Sequence, residues 1–332
     1  MKENSNNFWN NLKNKNNSFR SKHFDLSEET KFRFDILNYK TDGMIFVTSV
    51  LIVPFILALF IPFVADANSA FSSSSIFSLL YILSVSIGLI FNCIRNGAGF
   101  FKGGYSWVYM FILGPQIISV IIFPLTKFFL TENIEVIKFF ASLLTMIVTE
   151  VIIITLALVY DRKILKRLKE TIKYKWKEII LITIICTALM FLIINFIIQY
   201  LIESKLIGAG QSSNQSSLES ILKDNKYGLK VKIVYAILLF ILTVIIAPFC
   251  EELCLRNSFN LNASNKWLGF VSSSLFFGFV HWGPSFDFVH IMSYSAAGFI
   301  LSGVFLYTKG NMTFSWFIHM LNNLIVFVLI LL

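Results

Sequence analysis

Three short patterns after residue 245 set ionisable and amide side chains into strongly apolar sequence. The first is Pro248-Phe-Cys-Glu251-Glu252-Leu-Cys-Leu-Arg256. Neighbouring residues on a helix point about 100° apart, whereas residues four apart share a face. Glu252 therefore pairs with Arg256, acid before base, and Glu251 turns to another face without that partner. A desolvated carboxylate of this kind can act as a general base. The second pattern, Phe277-Gly-Phe-Val-His281, puts a ring and an imidazole on one face, so the ring can shield and orient the histidine. The third, His319-Met-Leu-Asn322-Asn323, puts His319 and Asn323 on one face of an otherwise apolar helix.

Each pattern alone has a plainer reading: an acidic pair ending a span, an interfacial histidine beside Trp282, an inter-helix hydrogen bond. Together they suit one chemistry. A glutamate and a histidine can hold and deprotonate a water, and a second histidine with an asparagine can donate hydrogen bonds to a developing oxyanion. That constellation hydrolyses amides. Two histidines and a carboxylate are also common zinc ligands that leave one position for water. Glu251, His281 and His319 would be the set, but H-E-x-x-H is absent and no metal is assigned.

The elements that position these groups are membrane helices. The chain of 332 residues is 56% hydrophobic and 14% charged, with mean hydropathy +0.72. Soluble domains carry about 25% charged residues. Disordered, collagen-like and small disulfide-built chains are excluded by the same figures. Apolar runs lie at 44–65, 76–95, 106–126, 136–160, 179–201, 232–262, 266–283, 287–308 and 311–331. Each fits a span of roughly 17–25 residues; the sixth is longer and turns polar after Glu251. The expected fold is thus all-α, a polytopic membrane bundle of about nine helices. Cys93, Cys186, Cys250 and Cys254 lie in apolar segments and are expected as buried thiols rather than disulfides.

Charge sets the expected topology. Residues 1–43 carry eight Lys and Arg, and 161–178 carry another eight, out of 28. Both fall on one side if the N-terminus is inside, and the loop 66–75 has no Lys or Arg. The net charge of +9 is accordingly topological, and no basic–aromatic module points to nucleic acid. The run 161–178 also suits anionic lipid heads. The loop 202–231 carries four Lys against the rule, but it is long. The expected organisation is a polar cytosolic tail 1–43, a five-helix part 44–201, a polar outer loop 202–231 and a four-helix core 232–332. Eight Asn within the first seventeen residues suggest a disordered tip. The stretch from Ser27 to Tyr39 reads as solvated tail, with a short interfacial helix as the alternative. The start lacks the apolar stretch of a signal peptide. Helices six and seven turn near Asn262–Asn265, and eight and nine near Lys309–Asn311. Counted at ~1.5 Å per residue from those turns, Glu251, His281, His319 and Asn323 fall at similar depth. An inward Glu150 in the fourth helix faces the cavity or pairs with a polar neighbour such as Gln116.

Glu251-Glu252-x-x-x-Arg256, Phe277-x-x-x-His281 and His319-x-x-x-Asn323 resemble the three motifs of the CAAX-protease and bacteriocin-processing family, also called CPBP or Abi. Gly298, Gly303 and Tyr307-Thr-Lys-Gly-Asn311 resemble it too. The likeness covers about 232–331. It implies an α-helical intramembrane endopeptidase in which Glu251 is the base, His281 helps activate the water, and His319 and Asn323 form the oxyanion site. Glu252, Arg256 and Phe277 would support them. Leu255 and Asn257 stand where the common motif has Phe and Gly, which reads as pocket variation.

The family's members cleave prenylated CAAX proteins in eukaryotes. Bacterial relatives are linked to bacteriocin immunity, pheromone maturation and membrane-protein processing. The Phe-, Asn-, Lys- and Ile-rich composition points to an AT-rich bacterium, where a CAAX substrate is not expected. The expected partners are a peptide or membrane-protein substrate and the lipid bilayer of a bacterial cell membrane. The competing readings are a non-catalytic bacteriocin-immunity or scaffold protein, and a proton-relaying transporter. The transporter is disfavoured because no internal repeat is visible.

Overall fold

The computed structural model describes residues 2–64, 72–130 and 132–332, and among these every regular element is a helix. Met1 and much of the loop 66–75 lie outside the described residues. Helix α1 spans Lys2–Phe24. The long apolar helices are α2 (Tyr39–Phe63), α3 (Ser73–Asn96), α4 (Trp107–Phe129) and α5 (Ile134–Tyr160). The amphipathic α6 (Arg162–Tyr174) precedes α7 (Trp176–Leu206). A short α8 (Ser213–Lys223) leads to α9 (Leu229–Ala263). Then come α10 (Lys266–Trp282), α11 (Phe288–Tyr307) and α12 (Met312–Leu331). Eight of these are long and apolar enough to cross a membrane. With α10, of 17 residues and at the lower end of span length, the described chain agrees with the expected bundle of about nine helices. Large apolar side chains such as Phe63, Phe128 and Ile117 face outward, as they must toward lipid.

The helix starts follow from their capping residues. Ser72 accepts from Ser75 N, Asn133 from Val136 N, Asn265 from Trp267 and Leu268 N, and Asn311 from Thr313 N. Tight turns join α9 to α10 through Ser264, at φ 45°, and α11 to α12 through Lys309 and Gly310, at φ 59° and 81°. Helices α10 and α11 approach closely because small residues face each other. A Cβ on Gly278 would lie 2.6 Å from Ser295 Oγ, and one on Gly298 would strike the backbone oxygen of Ser274.

One end of the bundle collects the basic segments. Thr171 of α6 receives Asn311 Nδ2 at 2.8 Å, Leu37 N reaches Ser264 Oγ at 2.9 Å, and Asn262 Nδ2 reaches Tyr105 O at 2.8 Å. The N-terminal segment differs from the expected solvated tail. Residues 2–24 form a helix despite their asparagines, because a modest propensity penalty per Asn is outweighed once one end docks. Phe24 is buried, edge-on to Phe314 and Tyr307, and Arg20 donates to Leu306 O and Tyr307 O. Residues 25–38 are neither interfacial helix nor free tail. They form a strap in which Phe32 is buried against Phe305 and Phe34 and lies beneath the Arg167 guanidinium. Arg167 itself donates to Thr30 O and Asn257 Oδ1.

The stretch 202–231 also differs from a plain loop. Its first residues continue α7, and Ser212 caps α8. Ser213 N bonds Asp287 Oδ2 at 2.8 Å, Gly210 O bonds His290 Nε2 at 3.2 Å, and Ser212 Oγ bonds Tyr294 Oη at 2.8 Å. These bonds hold the segment as a roof over the other end. Of the four cysteines, all free, Cys250 and Cys254 are buried, whereas Cys93 and Cys186 are only half-buried on membrane-facing helices.

Candidate functional site

The chemistry-bearing residues sit where α9 changes its winding. Ile241–Ile246 and Glu252–Ser258 are wide, π-helical stretches on either side of Glu251. Such turns recur at functional sites because they re-aim side chains and free backbone groups. Here Ala247 N reaches back five residues to Leu242 O. The next donor in that register is Pro248, which has no N–H. Thr243 O is therefore left over, and Asn323 Nδ2 of α12 takes it at 2.9 Å.

Glu251 faces a cavity of about 1030 Å³ lined by α5, α7, the roof segment and α9–α12. Its Oε2 lies 4.0 Å from His281 Nε2 and 3.8 Å from His319 Nε2, and it makes no hydrogen bond. Both gaps exceed direct hydrogen-bond length and suit an intervening water or substrate atom. The three residues come from α9, α10 and α12, so the similar depths inferred from their distances to the turns correspond to a real convergence.

Glu252 does more than pair with Arg256. Its Oε1 lies 3.2 Å from His319 Nδ1, and its Oε2 3.5 Å from Arg256 Nε. Glu252 and Arg256 are both 0% exposed. Arg256 is further held by the face of Phe277, 4.8 Å from the ring centroid, and by Ser273 Oγ at 3.4 Å. With Glu252 ionised, His319 donates Nδ1–H to it, which leaves Nε2 toward Glu251 and the cavity. Phe277 stands edge-on to both imidazoles, with centroids 5.0 Å from His281 and 5.6 Å from His319. Glu251, Glu252, Arg256, Phe277, His281 and His319 thus lie in one cluster, and Asn323 lines the same cavity with one amide hydrogen committed to Thr243 O.

Several site residues were not read from sequence. Tyr294 stacks on His281 at 5.0 Å and 14°, and its hydroxyl bonds the roof at Ser212. Glu203 is buried at the cavity wall and accepts from Ser293 N at 3.2 Å. His290 pairs with Asp287 at 2.6 Å under the roof. Their available signals were the D-x-x-H spacing of Asp287 and His290 and a carboxylate, Glu203, near the end of a span. Glu150 lines the cavity and does not pair with Gln116. As for zinc, no three His, Cys, Asp or Glu side chains among the described residues are arranged to hold a metal ion, so no step below is routed through one.

Residues 233–325, which hold α9–α12 almost entirely and the whole Glu/His/Asn cluster, match the family described as type II CAAX prenyl endopeptidase Rce1-like. Over residues 233–325 the chain belongs to the Rce1-like family. That makes it a polytopic helical membrane protein of CAAX-type protease lineage. A protein of Mycoplasma capricolum subsp. capricolum (strain California kid), named only as an uncharacterized protein, is 32% identical over 314 residues, 92% of each chain. That likeness runs through the N-terminal helices as well as the Rce1-like part. No solved structure matches the chain.

Proposed function

We propose that the protein is an intramembrane endopeptidase of the bacterial cell membrane. It would hydrolyse a peptide bond of a membrane-associated peptide or protein with Glu251 as general base. The observation that carries this is the point between Glu251 Oε2, His281 Nε2 and His319 Nε2, with gaps of 4.0 and 3.8 Å, at the wall of a large cavity.

A water at that point gives its proton to Glu251 while His281 Nε2 orients it, and its oxygen attacks the scissile carbonyl carbon. The carbonyl oxygen becomes an oxyanion opposite His319 Nε2 and the free amide hydrogen of Asn323. Glu252 Oε1, 3.2 Å from Nδ1, fixes the orientation of the His319 ring so that Nε2 faces this oxygen. Collapse of the intermediate breaks the C–N bond, and Glu251 returns the proton to the leaving amine. The products are a carboxylic acid and an amine. Arg256 and Phe277 hold Glu252 and the two rings in place.

The test compares wild type and Glu251→Gln, expressed at equal levels in the native host, by mass spectrometry of membrane and secreted peptides. A defined product present with wild type and missing with the variant is expected. Identical peptidomes at equal protein levels would refute the reading and favour a non-catalytic immunity or scaffold role.

A further inference from the structure

The chain carries 28 Lys and Arg against 19 Asp and Glu, yet the cavity wall has the opposite character. Glu150, Glu203 and Glu251 line it, and no Lys or Arg does. Two of the three carboxylates have duties: Glu251 faces the histidines, and Glu203 accepts from Ser293 N. Glu150 has none. It is 1% exposed, and neither Oε1 nor Oε2 has a hydrogen-bond partner. A buried carboxyl without partners is costly in a low-dielectric interior, and in a membrane helix it marks a ligand or ion path. It sits on α5, which packs against Ala247–Glu251 of α9, so it lies beside the base on the cavity wall. The same cavity wall carries apolar residues, among them Met146 one turn away on α5 and Met190 and Ile194 on α7.

We propose that Glu150 forms a cation subsite, which seats the lysine or arginine side chain of an otherwise apolar peptide next to Glu251. The subsite rests on the endopeptidase reading for its purpose but not for its detection. A basic side chain entering this cavity meets a carboxylate with both oxygens free and no Lys or Arg on the wall to compete for it. A charge-assisted pair in a water-poor site is strong and directional, and it is lost when the carboxylate is neutralised. The substrate class that follows is a hydrophobic peptide segment with one basic residue within a few positions of the scissile bond.

Binding tests the subsite without hydrolysis. The full chain, carrying Glu251→Gln, is placed in lipid nanodiscs with a fluorescein-labelled peptide of leucine and alanine containing one lysine. A second peptide has norleucine in place of the lysine. At least tenfold tighter binding of the lysine peptide is expected. Adding Glu150→Gln should abolish the preference, and Glu150→Asp should restore part of it. No preference in the Glu150 protein, or a preference that survives Glu150→Gln, overturns the subsite. Should Glu150→Gln fail to fold, the peptide pair on the Glu150 protein and the Glu150→Asp variant decide. The peptidome comparison separates the two claims. Lysine preference with no Glu251-dependent products keeps the subsite and removes the endopeptidase. Glu251-dependent products whose cut sites lack neighbouring Lys or Arg keep the endopeptidase and remove the subsite.

Discussion

The two ends of the polar stretch in α9 treat their buried groups in opposite ways. Beyond Glu251, the helix holds Glu252, Arg256, Asn257, Ser258, Asn260 and Asn262 buried inside the protein, and each is anchored by at least one polar contact, although Glu252 Oε2, Arg256 Nε and Nη2, Asn260 Oδ1 and Asn262 Oδ1 have no hydrogen-bond partner. On the cavity side, Glu150 and Glu251 are also buried, at 1% and 9% exposure, and both Glu150 oxygens and Glu251 Oε2 have no hydrogen-bond partner. A buried polar side chain anchored by at least one bond builds structure, and a buried carboxyl anchored by none is placed to meet a ligand. The boundary between the two regimes falls between consecutive residues, Glu251 and Glu252, and the wide winding at Glu252–Ser258 turns them to different neighbours.

Substitutions at that boundary should have separable effects, and they are the largest expected. Glu251→Gln keeps abundance and unfolding temperature near wild type and lowers cleavage by about 10²–10⁴-fold, the usual worth of a general base. Glu252→Ala does the reverse: it leaves Arg256 buried without its carboxylate, a loss of about 3–5 kcal/mol for a broken buried pair. Protein yield and thermal unfolding in one detergent measure this. If Glu252→Ala were as stable as wild type while Glu251→Gln unfolded, the contrast drawn here would be inverted.

Asn323 sharpens the contrast because it belongs to both regimes. Asn323→Ala strips Thr243 O of its donor, at about 1–3 kcal/mol for an unsatisfied buried acceptor. It also removes the second amide hydrogen from the cavity, and cleavage should fall about 10²-fold, as for one oxyanion donor. Loss of stability with unchanged cleavage would leave Asn323 on the structural side alone.

A smaller pair of effects separates the two glycines of α11. A Cβ at Gly298 strikes the backbone oxygen of Ser274 on α10, whereas at Gly303 the nearest atom is Phe270 Cε2 at 4.0 Å. Gly298→Ala should cost about 1–3 kcal/mol as an overpacked contact. Gly303→Ala should be neutral or slightly stabilising, since alanine suits a helix better by about 0.5–1 kcal/mol. Thermal unfolding of the two variants side by side checks the order.

These contrasts also mark what the sequence made visible. Spans, the pairing of Glu252 with Arg256 and the common depth of Glu251, His281 and His319 follow from hydropathy, helical period and distance from the turns. What was hidden depended on winding and on distant partners. Thr243 becomes an acceptor only because the register widens five residues before Pro248, and an i,i+4 reading cannot show that. Tyr294 reads as an ordinary helix aromatic until α10 brings His281 beneath it. The strap 25–38 has no periodicity, because its order comes from contacts with α6 and α11 rather than from its own backbone ladder.

That strap supplies the smallest effect, and its polarity is paired like the far half of α9. Glu170 of α6 accepts from Ser27 N at 2.8 Å, Ser27 Oγ at 2.9 Å and Thr30 Oγ1 at 2.7 Å. Burial pushes its carboxyl up, but the bonds from Thr30 and Ser27 and the nearby Arg167 guanidinium outweigh it and hold the group below the usual glutamate value. A carboxyl lowered on folding stabilises the fold above its unfolded value of about 4.3, and that contribution is lost as pH falls through the folded value. Exposure to solvent keeps the effect modest. Amide hydrogen exchange over residues 25–38, corrected for intrinsic rates, should therefore show protection at pH 6 that declines below about pH 4. Glu170→Gln should exchange faster at pH 6 and lose this part of the pH dependence. Equal protection of the wild type at both values would place the strap's order in Phe32 and Phe24 alone, and the paired carboxylate would then be incidental to it.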